Sequence, residues 1–155
     1  MRRWVFLLRL RSRAGVLSAL TAVFADRGVS IETLNAHDAS AGGPLGSAVL
    51  TFAATAAKKD YLARLLGRLS VVTEVTEYRY DDAAHARKSV TARVSLSGAE
   101  LRALLPATVI CDIISEAPGA TVALLLGPPP TLDQVLLSLE GRHVLQASDA
   151  SVVVV

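Results

Sequence analysis

Trp4, Phe6, Leu8 and Leu10 fall on one face of an extended segment and Arg9 on the other, the period-two pattern of a strand. The next apolar residues, Val16, Leu17, Leu20, Val23 and Phe24, are spaced as one stripe of a helix. Gly28 then stands where a left-handed residue ends such a helix. Residues 29–36 have extended character, the GGPLG run at 42–46 predicts a turn, and 48–53 predict another strand. Thr55 can cap a second helix with the stripe Tyr61, Leu62, Leu65, Leu66 and Leu69. Residues 71–80 alternate again and close the unit as a fourth strand. The order is β-α-β-β-α-β, the split βαβ arrangement of ferredoxin-like folds.

The polar run DDAAHARK at 81–88 predicts a linker, after which the same order returns with weaker signals. Residues 90–96 are extended. Ser97 and Glu100 have capping-box spacing ahead of Leu101, Leu104 and Leu105, and Pro106 follows this short helix. Residues 109–114 and 121–126 predict strands flanking the turn EAPGA. Thr131 and Gln134 predict a second capping box, opening a helix with Val135, Leu136 and Leu139 that ends at Gly141. Strand character resumes at Val144 and runs into Val152–Val155. The predicted architecture is α+β: two tandem ferredoxin-like units, 1–80 and 89–155, joined by a linker at 81–88. Units of about 70 residues bury only about 60–65% of their unfolded surface, so packing against a partner is expected.

The 155 residues are 52% hydrophobic and 19% charged, a composition that excludes intrinsic disorder. Sixteen Lys and Arg against fourteen Asp and Glu leave a net charge of +2, so the basic isoelectric point implies no nucleic-acid footprint. Aromatic residues, at 5%, are too sparse for base-stacking platforms. Cys111 is the single cysteine, which rules out an internal disulfide and a cysteine metal cluster and fits a reducing compartment. Arg9, Arg11 and Arg13 interrupt the N-terminal apolar stretch before it reaches the length of a secretory core. The longest charge-free stretch, between Glu116 and Asp133, contains four prolines, so no membrane span is expected and the chain reads as cytoplasmic.

Chemistry for catalysis is sparse. His37, His85 and His143 are far apart in sequence and read as solvated or structural rather than metal-bound. There is no nucleophile elbow and no P-loop, and Pro44 inside the glycine run favours a hairpin turn over phosphate binding. Cys111 in an apolar strand reads as an inert thiol. A stand-alone enzyme is disfavoured, and no cofactor or metal is expected. The segment RSRAGVLSAL is different. It is a loop that enters a helix at Gly15, so the backbone amides of Ala14, Gly15, Val16 and Leu17 make a helix N-terminus suited to a carboxylate or phosphate, with Arg11 and Arg13 adding positive charge. A plain helix start with solvated arginines is the competing reading.

RAGVLSALTAVFADRGVSIETL, following the strand WVFLLRL, resembles the first half of an ACT domain. With MRR at the start, the AGVL turn and the segment AHARK, residues 1–95 resemble more narrowly the small regulatory subunit of acetolactate (acetohydroxyacid) synthase. The resemblance implies a non-catalytic, allosteric homodimer in branched-chain amino acid biosynthesis. Such a subunit binds a small amino acid between paired ACT domains and signals to a thiamine-diphosphate-dependent catalytic subunit. Carried over residue by residue, Gly15 matches the turn glycine, Val16 and Leu17 the amides behind it, and Ser30 and Ile31 the start of the following strand. Ser12 and Ser30 stand at or near positions where valine-binding members carry Asn, so two amide side chains become hydroxyls and valine is expected to bind weakly or not at all. The alternative is a free-standing ACT-like sensor or interaction protein without a synthase partner.

Overall fold

In the first unit, β1 (Arg2–Arg11), α1 (Val16–Ala25), β2 (Ile31–His37), β3 (Leu45–Ala54), α2 (Ala56–Gly67) and β4 (Val72–Arg79) follow in the predicted order. The second unit repeats it with β5 (Ala86–Val94), α3 (Gly98–Leu104), β6 (Ile110–Ala117), β7 (Ala120–Gly127), α4 (Pro129–Gly141) and β8 (Leu145–Val154). The computed structural model describes residues 1–37 and 45–155. Its two compact units are Met1–Tyr80 and Asp81–Val153. Each holds a four-stranded sheet, ordered β2-β3-β1-β4 in the first and β6-β7-β5-β8 in the second.

In the first sheet β1 is flanked by antiparallel β3 and β4, with Phe6 opposite Leu50 on one side and Glu77 on the other. Alternation along β1 sends Phe6, Leu8 and Leu10 into a core with Leu50 and Phe52 of β3, Val16, Leu20 and Phe24 of α1, and Leu62 and Leu66 of α2. Phe52 is the hinge of this packing. Its ring meets Phe6 edge-on at 4.8 Å and Phe24 at 5.1 Å, the geometry that aromatic quadrupoles favour. The stripe of α1 is narrower than its pattern suggests, because Leu17 is 46% exposed. Thr55 does cap α2, its hydroxyl accepting from the Lys58 amide at 3.3 Å.

The second core joins Val90, Ala92 and Val94 of β5, Leu125 of β7, Leu101 of α3, and Leu132, Val135 and Leu139 of α4. The capping box of Ser97 and Glu100 is formed in both directions. The one expected from Thr131 and Gln134 is not. Helix α4 starts earlier, at Pro129 with Pro128 as its N-cap. Proline at the first helical positions has its φ already set and lacks an amide that the helix start cannot satisfy, so the Pro128–Pro130 run opens the helix before the threonine is reached. The segment 81–88 is also not wholly a connector: Ala86, Arg87 and Lys88 belong to β5, with Ala86 and Lys88 buried. Lys88 tolerates this because its ammonium donates to Asp133 at 2.6 Å. Of the predicted turn at 42–46, Leu45 and Gly46 are strand residues of β3, and the rest lies outside the described residues.

Candidate functional site

The end of β1 runs directly into the turn that starts α1. Gly15 is the N-cap of that helix with φ of 85°, in the left-handed region. A Cβ there would meet nothing within 4 Å, so glycine is required by the backbone conformation rather than by a crowding neighbour. No side chain caps α1 and no acidic residue stands in its first turn, whereas Thr55 and Ser97 cap α2 and α3. Among the described residues, no side-chain oxygen therefore accepts from the amides at the start of α1.

Beside this turn is a cleft of about 240 Å³. Leu10 and Arg11 from the end of β1, and Ser12 and Arg13 from the turn, form one side. Val16 and Leu17 of α1, Ala36 and His37 of β2, and Gly46 and Ser47 of β3 complete it. Arg11, Ser12 and Arg13 are all exposed, and Arg13 donates to the Ser70 hydroxyl at 3.2 Å. His37 and Ser47 are opposite each other in the β2–β3 register, and the histidine Nε2 lies 3.1 Å from the serine Oγ.

Five of the residues expected to bind a ligand, Arg11, Ser12, Arg13, Val16 and Leu17, thus line one cleft. Ala14 and Gly15 form the turn beside it. Ser30 and Ile31 do not reach it. Ile31 pairs with Phe52, which pairs with Trp4, whereas Arg11 pairs with Leu45. Trp4 and Arg11 are seven positions apart along β1, about 23 Å at ~3.3 Å per residue, so Ser30 and the turn sit at opposite ends of the sheet. Conversely, the sequence reading assigned His37 a solvated or structural role and did not single out Ser47. Their signal is strand register, which closes across a long connection and is invisible to periodicity.

Larger clefts exist. One of about 500 Å³ between α2 and β4 is lined by both signs of charge, including Asp60, Arg64, Glu74 and Glu77. Lys59 nearby is paired with Asp60 and Glu77; burial opposes its charge, but the two hydrogen-bonded carboxylates prevail and raise its pKa. Another of about 460 Å³ lies between α3 and α4, lined by residues such as Leu104, Pro106 and Val135. Burial pushes the Cys111 thiol up, against the lowering influence of Arg102 and with a small raising contribution from Asp112, which disfavours the nucleophilic thiolate. Among the described residues no group of three His, Cys, Asp or Glu side chains could hold a metal ion. No described helix is long and apolar enough to cross a membrane.

Among solved structures, the chain is similar to the acetolactate synthase small subunit from Thermotoga maritima, with a TM-score of 0.79 over 100% of this chain and 97% of that chain. Sequence identity in that comparison is 14%. The shared fold is two tandem ferredoxin-like units. The chain is also similar, at a TM-score of 0.49 and 14% identity, to the ligand-free regulatory subunit of aspartate kinase from Thermus thermophilus, covering 90% of this chain and 91% of that one. No family model and no curated protein matches the sequence. In the first unit the cleft lies at the β1–α1 turn, and the second unit has no counterpart to the Gly15 turn: α3 starts instead with the filled capping box of Ser97 and Glu100.

Proposed function

We propose that this protein is a non-catalytic regulatory subunit that binds a small carboxylate ligand at the β1–α1 turn of its first ACT unit. The observation that carries the reading is the convergence of Arg11, Ser12, Arg13, Val16 and Leu17 on one cleft beside an uncapped helix start. Helix N-termini and guanidinium groups both favour carboxylates. The partner we propose is a catalytic acetolactate synthase subunit, on the strength of the sequence resemblance together with a full-length likeness to that enzyme's small subunit.

The subunit is proposed to work as a homodimer. Strand β2 is at the edge of its sheet, and no other described strand pairs with its outer row of backbone groups. A second copy pairing antiparallel along this edge would set the Ser30 end of one β2 against the His37 end of the other. Two residues that cannot meet within one chain would then face the same cleft, and ordering of this shared site by ligand is what the synthase would sense.

Native purification tests the proposal. A thiamine-diphosphate enzyme that co-purifies, and whose activity responds to a small carboxylate only when this subunit is present, is the expected result. Repeated recovery of the protein without such an enzyme would favour a free-standing ACT sensor instead.

A further inference from the structure

Two guanidinium groups border the cleft of the first unit. Arg11 and Arg13 both line it, and none of its described lining residues is a carboxylate. Elsewhere in the fold, three cations at partly covered or buried positions have acidic partners: Arg3 with Glu32 at 2.5 Å, Lys59 with Asp60 at 2.5 Å and Lys88 with Asp133 at 2.6 Å. Arg13 instead donates to a neutral hydroxyl, that of Ser70, which orients the guanidinium without neutralising it. Arg11 is in none of the ion pairs formed among the described residues. His37 is engaged with Ser47 and supplies no negative charge.

A neutral amino acid brings an ammonium together with its carboxylate. Within a few ångströms of either guanidinium the ammonium is repelled, and no described lining carboxylate offsets this. A ligand with a surplus carboxylate gains charge-assisted hydrogen bonds from the arginine forks, and its net negative charge outweighs the repulsion of any ammonium it carries. At about 240 Å³ the cleft is smaller than the ~300–1,000 Å³ of drug-sized sites, so the ligand is small. We infer that this cleft selects a small organic anion with more carboxylates than ammonium groups, an acidic amino acid or a 2-oxo acid, over a neutral amino acid of the same shape. The inference rests on the proposed placing of the ligand at the β1–α1 turn and adds to it the ligand's charge.

Calorimetry on the full chain at low salt tests it with two pairs matched in shape: L-glutamate against L-glutamine, and 2-oxoisovalerate against L-valine. The anion of each pair is expected to bind at least tenfold more tightly. Arg11→Gln and Arg13→Gln, at exposed positions, should each reduce that preference to threefold or less, with melting curves confirming that both variants fold. Leu17→Trp, which fills the cleft from α1, should abolish binding of every probe. L-valine or L-glutamine binding as tightly as its anionic counterpart, and lost in Leu17→Trp, overturns the charge preference and leaves the proposed site standing. An anion preference that survives both arginine variants overturns the assignment to these side chains. Binding of none of the four probes overturns the proposed function together with this inference.

Discussion

The imidazole of His37 and the hydroxyl of Ser47 meet across the β2–β3 register, Nε2 to Oγ at 3.1 Å, at the rim of the cleft beside the β1–α1 turn. Ser47 is only 6% exposed, so its hydroxyl depends on this partner, whereas the exposed histidine can turn to water. Ser47→Ala should therefore cost about 0.5–1.5 kcal/mol, the net worth of one ordinary hydrogen bond. Urea unfolding with an unchanged slope and a lowered midpoint is the expected signature.

Two glycines at helix ends, Gly15 and Gly67, should respond oppositely to alanine. At Gly15 the φ of 85° is unsuitable for a Cβ, and Gly15→Ala should destabilise by about 1–2 kcal/mol although the side chain itself meets open space. Gly67, at the end of α2, has no positive φ and equally open surroundings, so Gly67→Ala should stabilise by about 0.4–1 kcal/mol by restricting the unfolded chain. Chemical denaturation of the two variants side by side separates backbone strain from crowding. Equal effects of the same sign would contradict this reading.

Phe52 has no exposure and joins β1 to α1 through Phe6 and Phe24. Phe52→Ala should cost about 3–5 kcal/mol, because the cavity is bounded by two rings that lose their edge contacts together. Phe52→Leu should recover a good part of that loss. Leu17→Ala, at a 46% exposed position of the same helix face, should change stability by no more than about 0.5 kcal/mol.

The capping box of α3 predicts an acid-side dependence of stability. The Ser97 amide donates to the Glu100 carboxylate at 2.8 Å, and the Ser97 hydroxyl accepts from the Glu100 amide at 3.2 Å. The backbone hydrogen bond from Ser97 first, and its hydroxyl second, hold the Glu100 carboxyl below the ordinary value of 4.5. A carboxyl depressed in the folded state stabilises above its unfolded value, and that contribution disappears as pH falls through the folded one. Glu100→Gln keeps an oxygen acceptor but removes the titration, so stability should fall less steeply with pH below 4.5 than in the parent. Ser97→Ala should cost about 1 kcal/mol at neutral pH.

The proposed pairing of two copies along the edge strand β2 predicts association. Light scattering should find a dimer at micromolar concentration, and a stable monomer there would remove the arrangement that brings Ser30 to the cleft.

Periodicity was sufficient for the architecture because burial is a one-dimensional signal. The alternation of Phe6, Leu8 and Leu10 and the stripe of Val16, Leu20 and Phe24 determine, before any contact is known, which faces must turn inward. Local caps were equally legible: Thr55 and the pair Ser97 and Glu100 act within three residues of chain. Signals failed where two local rules competed, as when the proline run took the helix start from Thr131, and where a polar segment was covered, as at Lys88, whose burial depends on Asp133 forty-five residues away. The cleft divides along the same line. Arg11 to Leu17 are contiguous, so one turn assembles them and the sequence is enough to group them. Whether Ser30 joins them, and whether His37 and Ser47 complete the rim, depends on strand register. That is decided only when β3 pairs with β1 on one side and β2 on the other, placing Ile31 at the Trp4 end of the sheet and His37 at the Arg11 end.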